Sequence, residues 1–444
     1  MVQNSARKRV ALRPYQLVVV IMCTLLNALD GYDIFIMGFA IPYLPDDFAS
    51  DTANGYLLSA SLVGMGIGSI LFAPMADKYG RRMLLIAALT VNAFGMAASA
   101  LAPSYSVLFA SRLVTGISVG TIATVVVVLA PEAVSKSWRS FAVGIVMLGY
   151  PLGSTLAGLS GATLLAAVGG SWQGMFWVGL VLCLIALAVT IFFMPESTAF
   201  LVSRGDDESL RRAAVNQDRL GLEEEIDEAR ADAAPTHPRT VRLLGHELRT
   251  LTLLLWVTYG GLSAAFYFIS SWTPKLITDA TDNVSEGTLA GLMVSLGTLA
   301  GAGLYATVGH RFVPARYAAT AIVVAVAALV GFAVTLSGPF ALTMAFLMGT
   351  SVYGAMAATV TSTLVYPALA RTRGMGSMIG VARVGAIVAP ILAGYALAFV
   401  SIRSLYLAVV VLLAIALLAG VGLVRRARTS AGSTDREADL QTAN

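Results

Sequence analysis

The sequence predicts an all-α integral membrane protein: twelve transmembrane helices arranged as two six-helix bundles. Three observations predict it. Of 444 residues, 57% are hydrophobic and 12% charged, with a mean hydropathy of +0.79, whereas a soluble domain carries about 25% charged residues. A bilayer span takes about 20 apolar residues. Runs of that length lie near 15–43, 56–76, 83–102, 106–130, 140–168, 172–194, 250–278, 287–309, 317–336, 340–370, 374–400 and 402–424. Finally, with the N-terminus placed in the cytoplasm, 25 of the 29 Lys and Arg fall in segments on that side, the bias that orients membrane proteins.

The elements follow in order. The first run is too long for the apolar core of a signal peptide and follows Arg7, Lys8, Arg9 and Arg13, so it reads as a retained first span. Residues 1–195 then form an N-terminal six-helix bundle and 196–249 a cytoplasmic linker with an amphipathic helix. Residues 250–425 form a C-terminal six-helix bundle and 426–444 a disordered cytoplasmic tail. The linker core, DDESLRRAAVNQDRLGLEEEIDEARADA, has the mixed charge of a solvated surface. The tail, TSAGSTDREADLQTAN, has too little apolar content to order itself. Both termini lie inside, in a multi-pass protein of the plasma or inner membrane.

The net charge of +4 reflects this topology, and a nucleic-acid partner has no support. Cys23 and Cys183 sit in apolar runs and read as small packing residues. His237, His246 and His310 are scattered without ligand spacing. No metal or cofactor is expected beyond protons as coupling ion, and a monomer is the expected state.

Between the second and third runs stands APMADKYGRRMLL, residues 73 to 85. It resembles the loop signature of the major facilitator superfamily, Gly-x-x-x-Asp-Arg/Lys-x-Gly-Arg-Arg/Lys. Asp77, Lys78, Gly80, Arg81 and Arg82 match, and Ala73 stands where that family prefers Gly. Physically, a helix-end carboxylate and a basic loop turned by glycine can latch two bundles on the cytoplasmic side. Arg112 through Gly116 and Gly120 resembles the family's fourth span. Glu132 and Arg139 occupy the next cytoplasmic loop, and Pro195-Glu196-Ser197 closes the sixth span. The second half offers only GLYATVGHR, residues 303 to 311, with Thr307 in place of the acid. The internal repeat is thus clear in span number and weak in motif. The resemblance covers nearly the whole chain and implies two halves that rock about a site near the midplane.

Four ionisable residues lie well within spans: Asp30, Asp33, Arg112 and Arg383. Facing lipid alone, each costs about 2.5–3.5 kcal/mol on insertion scales. Two acids balance two bases, as pairing across a wet interior requires; a fixed pair that only joins helices is the plainer alternative. Asp30 and Asp33 are three apart and share a helix face, with Gly31 between them loosening the backbone. Asp30-Gly31-Tyr32-Asp33, with Arg383 in IGVARVGAIVAP, resembles the aromatic acid:proton symporters of the superfamily. That resemblance implies import of benzoate, a hydroxybenzoate, gentisate or protocatechuate. It assigns proton coupling to Asp30 and Asp33 and the organic anion to Arg383. The Gly-Tyr-Asp portion also resembles sugar:proton symporters, which implies that Asp33 faces Arg112. Tyr32, Tyr150, Tyr267 and Tyr353 are candidates to flank the substrate ring.

Other readings stay open: an importer of a different organic anion such as muconate, a sugar or polyol symporter, or a drug exporter. Arg383 favours an anion over a neutral sugar. Against an exporter, Tyr150 interrupts Gly-Pro in the fifth span, GYPLGSTLAG. A membrane enzyme needs a nucleophile and base, or metal ligands, clustered at one face, and a transporter-like sensor needs a folded signalling domain. The sequence offers neither.

Overall fold

Apolar runs rich in Leu, Val and Ala satisfy their backbone polar groups in lipid only by coiling into helices, and the chain does so. The structure, a computed structural model, describes residues 12–164, 171–221, 243–245, 248–361, 366 and 368–442. Twelve helices in this range are long and apolar enough to cross a membrane. They are α1 Pro14–Ala40, α2 Asp51–Ile67, α3 Arg81–Ala100, α4 Tyr105–Glu132, α5 Arg139–Leu159 and α6 Gln173–Phe193, followed by α7 Arg249–Thr281, α8 Val284–Thr307, α9 Pro314–Thr335, α10 Gly338–Thr361, α11 Ala368–Ala396 and α12 Ile402–Thr442. Capping side chains set several starts: Ser50 Oγ accepts from the Ala53 amide, and Asn283 Oδ1 from the amides of Ser285 and Glu286.

The pairings repeat with an offset of six. Within the first half α1 packs on α5, α2 and α3 on α4, and α3 on α6. In the second half α7 packs on α11, α8 and α9 on α10, and α9 on α12. The duplication that is faint in motif is therefore plain in packing. The halves meet chiefly through α2 with α11, α5 with α8 and α1 with α7. At mid-depth Ser154 and Ser295 hydroxyls are 2.9 Å apart, and Thr155 Oγ1 donates to the Ser295 carbonyl.

Small residues allow these approaches. A Cβ at Gly31 would stand 2.1 Å from the Tyr150 carbonyl oxygen, and one at Gly153 1.8 Å from that of Ala28. Gly31 therefore serves close packing of α1 on α5. The backbone loosening expected there is not found, since α1 is unbroken from Pro14 to Ala40.

After α6 come helices Thr198–Arg204 and Asp207–Leu220. Gln16 Nε2 donates to the Leu220 carbonyl at 2.7 Å and ties the second of these to α1. Residues 222–242, with His237, lie outside the described residues, as do His246 and residues 1–11, with Arg7, Lys8 and Arg9. The expected disorder of 426–444 is corrected in part. The backbone of α12 runs on to Thr442, because no proline follows Ile402 and Arg, Ala, Glu and Leu carry the helical preference onward.

Candidate functional site

Burial inside the first half brings the first group of predicted residues together. Asp33 of α1 and Arg112 of α4 are both fully buried, with Arg112 Nη1 2.8 Å from Asp33 Oδ1. Arg112 also donates to the Asp33 carbonyl (3.2 Å), Thr115 Oγ1 (2.7 Å) and Ser99 Oγ (3.3 Å). Its guanidinium lies 5.1 Å from the centre of the Phe176 ring, a cation–π contact. Asp33 Oδ2 and both Asp30 oxygens are buried and accept no hydrogen bond among the described residues. Tyr32 is turned away from the other candidate aromatics: its hydroxyl donates to the Met175 carbonyl at 2.9 Å and lies 3.2 Å from Ser160 Oγ. The structure thus removes Tyr32 from the set of ring-flanking tyrosines, because α6 holds it inside the bundle.

The loop after α2 forms a second group. Gly80 has φ +98°, a conformation that favours glycine, and a Cβ there would stand 2.5 Å from Glu196 Oε2. Glu196 Oε1 accepts from the amides of Arg81 (2.8 Å) and Arg82 (3.1 Å) and so caps α3. Arg81 pairs with Glu132 at 2.9 Å and donates to Ser197 Oγ at 3.0 Å, and Ser197 Oγ donates to Glu132 Oε2 at 2.6 Å. Arg82 donates to the Ile191 carbonyl, Lys78 lies over the Tyr79 ring, and Arg139 stands within electrostatic reach of Glu132. Among the described residues Asp77, whose side chain is 82% exposed, pairs with Arg81 alone, at 3.7 Å. The latch was expected to join the bundles. In this conformation the ion pairs linking Asp77, Arg81 and Glu132 both lie within the first half.

Between the halves lies a cavity of about 470 Å³, within the size range of small-molecule sites, roughly 300–1,000 Å³. Tyr150 of α5, Tyr267 of α7 and Tyr353 of α10, three of the candidate tyrosines, line it together. The Tyr150 and Tyr267 hydroxyls are 2.9 Å apart across the two halves. Tyr259 and Tyr305, which the sequence did not single out, line it too. The cavity extends from these mid-helix tyrosines to Gly144 near the start of α5 and Thr361 at the end of α10. Those are the helix ends on the same side as the Gly80 loop. Asp30, Asp33, Arg112 and Arg383 are not among its lining residues. Arg383 of α11 crosses to the other half, where it donates to the Met65 carbonyl at 3.2 Å and to Ser69 Oγ. Its depth is that of Ser263, whose hydroxyl donates to the Ala382 carbonyl, between Tyr259 and Tyr267 on α7.

At the opposite end the halves are closed. Lys275 pairs with Asp51 (3.2 Å) and Asp279 (2.6 Å), Tyr56 and Tyr395 hydroxyls meet at 3.0 Å, and Tyr43 meets Thr288 at 3.3 Å. A repeated pair of bundles, a cavity between the halves that reaches toward one end and a charge pair buried in one half are features of a membrane transporter. Residues 23–368 match the family model of the Major Facilitator Superfamily. The chain belongs to that superfamily, whose members are transporters and not enzymes.

The chain is 30% identical over 381 residues to the 4-hydroxybenzoate transporter PcaK of Acinetobacter baylyi, covering 84% of this chain and 83% of that one. It is 30% identical over 392 residues to a gallate transporter of Pseudomonas putida, covering 86% and 85%. In fold it resembles a bacterial homologue of the human lysosomal transporter Spinster in an inward-facing and occupied conformation. That match has a TM-score of 0.68 and 16% identity, covering 94% of this chain and 98% of that one.

Proposed function

We propose that the protein is a proton-coupled symporter that imports a small aromatic carboxylate by alternating access, with both termini in the cytoplasm. The observation that carries this reading is the pairing of a fully buried Asp33–Arg112 contact with a tyrosine-lined cavity between the halves. The relatives' substrates supply the chemical class. With the termini inside, the cavity opens to the cytoplasm and the Asp51–Lys275 contact closes the outer end. The cavity is framed by one chain, so a monomer suffices.

Coupling follows from desolvation. Removing one member of a buried pair leaves the other charge uncompensated, at a cost of about 3–5 kcal/mol. Protonation of Asp33 is therefore tied to a rearrangement of Arg112, which keeps Thr115, Ser99 and the Phe176 face as partners. Asp30 acts as a second proton carrier or as a water-organising partner, the alternatives that the potential dependence of uptake separates. Arg383 exchanges Met65 and Ser69 for the substrate carboxylate, since a guanidinium fork matches a carboxylate in two-point contact. One proton with one monoanion is electroneutral; two protons add the membrane potential, about 2.3 kcal/mol per 100 mV.

Purified protein in proteoliposomes, given an inward proton gradient, is expected to accumulate one or more of benzoate, 4-hydroxybenzoate, protocatechuate, gentisate and gallate. A protonophore should abolish that accumulation. Uptake of muconate or a sugar in their place, or accumulation unaffected by the protonophore, overturns the reading. Potential-dependent uptake identifies the two-proton version.

A further inference from the structure

The aromatic-acid reading leaves the ring substituents unchosen, and the cavity wall bears on that choice. Five tyrosines border the one cavity: Tyr150, Tyr259, Tyr267, Tyr305 and Tyr353, each partly buried. The Tyr150 and Tyr267 hydroxyls pair with each other, and Tyr305 pairs with Thr361 Oγ1. A hydroxyl offers one proton and two lone pairs, so the Tyr150–Tyr267 pair still has one proton to give. The hydroxyls of Tyr259 and Tyr353 have no hydrogen-bond partner among the described residues. The remaining wall, including Phe266, Met147 and Met356, is apolar. Phe266 meets Tyr267 edge-on (5.2 Å between centroids) and Tyr353 at a tilt (5.5 Å). The cavity thus combines an aromatic, largely apolar wall with two tyrosines whose hydroxyls are unpaired among the described residues.

We infer that the cavity selects ring hydroxyls: its substrate is a phenolic acid, and Tyr259 and Tyr353 are the residues that separate it from benzoate. The inference rests on the aromatic-acid reading and sharpens it. A purely apolar slot discriminates weakly against an added hydroxyl, whereas a site whose own polar groups would be left unpaired rejects the analogue that lacks one. A phenolic ring both donates and accepts, as the two open tyrosines require. Arg383 lies at the depth between Tyr259 and Tyr267 but outside the cavity lining, so the ring hydroxyls and the carboxylate engage different groups.

The test is equilibrium binding to the purified full-length protein of benzoate, 3- and 4-hydroxybenzoate, 3,4-dihydroxybenzoate and gallate. At least one phenolic acid should bind about tenfold or more tightly than benzoate. Tyr353→Phe and Tyr259→Phe should each weaken that acid by about two- to tenfold, the worth of one hydrogen bond. Benzoate, with no ring hydroxyl to lose a partner, should weaken less than that acid. Equal affinity for benzoate and every phenolic acid overturns the inference alone, as does an equal loss of both ligand types in the Phe variants. Binding of none of the acids overturns the aromatic-acid reading together with this inference.

Discussion

Arg112 and Asp33 lie wholly inside protein, and each makes the other tolerable. A neutral isostere at Asp33 keeps the shape and removes the charge that protonation cycles. Asp33→Asn is therefore expected to lose uphill accumulation driven by a pH gradient while retaining counterflow of labelled for unlabelled substrate. Full concentrative uptake in this variant contradicts the coupling role. At Arg383 the geometry matters as much as the charge, because the guanidinium already forms two contacts, to Met65 and Ser69. Arg383→Lys should weaken carboxylate binding by about tenfold or more, and unchanged affinity in a titration clears Arg383 of that role. The four intramembrane charges were legible because ionisable side chains stand out in apolar runs. Tyr259, Tyr305 and Ser69 were not, since hydroxyl-bearing residues are scattered through these spans and only helix packing selects the few that face the cavity. Tyr32 misled for the converse reason: it neighbours the acids in sequence, yet it turns toward α6.

At the scale of elements, the number of spans and their approximate limits followed from run length, and the glycines marked where helices touch. Other features depended on contacts between distant segments. Glu196 was visible in Pro195-Glu196-Ser197, but its capping of α3 appears only when the chain after α6 returns beside Gly80. The extension of α12 runs past the apolar stretch that marked the span, and the second half carries Thr307 where the loop signature has its acid. The α1–α5 contact yields a quantitative expectation. At Gly153 a methyl group would overlap the Ala28 carbonyl, with 1.8 Å between centres, and backbone on both sides cannot swing aside as a side chain does. Gly153→Ala should cost about 1–3 kcal/mol of stability, read as a lowered melting temperature in detergent. Gly303→Ala in α8, where nothing lies within 4 Å of the new carbon, should leave it unchanged or slightly higher. Equal effects at the two positions contradict close packing as the reason for Gly153.

For the whole molecule, the distribution of contacts between the halves is what connects shape to transport. One end is tied by Lys275 to Asp51 and by Tyr56 to Tyr395, and the other holds the open cavity. Exposed ion pairs contribute only about 0–1 kcal/mol each. Asp51 is 44% and Lys275 17% exposed at the side chain, so this pair is partly open to water and adds only a modest tie at that end. Alternating access requires that the two residues part. A protein with Asp51→Cys and Lys275→Cys joined by a short bifunctional thiol reagent should therefore stop both uptake and counterflow. Cleaving the link should restore them. Cys23 and Cys183 are buried within the first half and are poorly placed to compete for the reagent. Ligand added from the cavity's open side should still bind to the linked protein, because the tie lies at the far end. A linked protein that transports at the original rate means that the two halves need not separate there, and rocking about the central cavity is then the wrong motion for this fold.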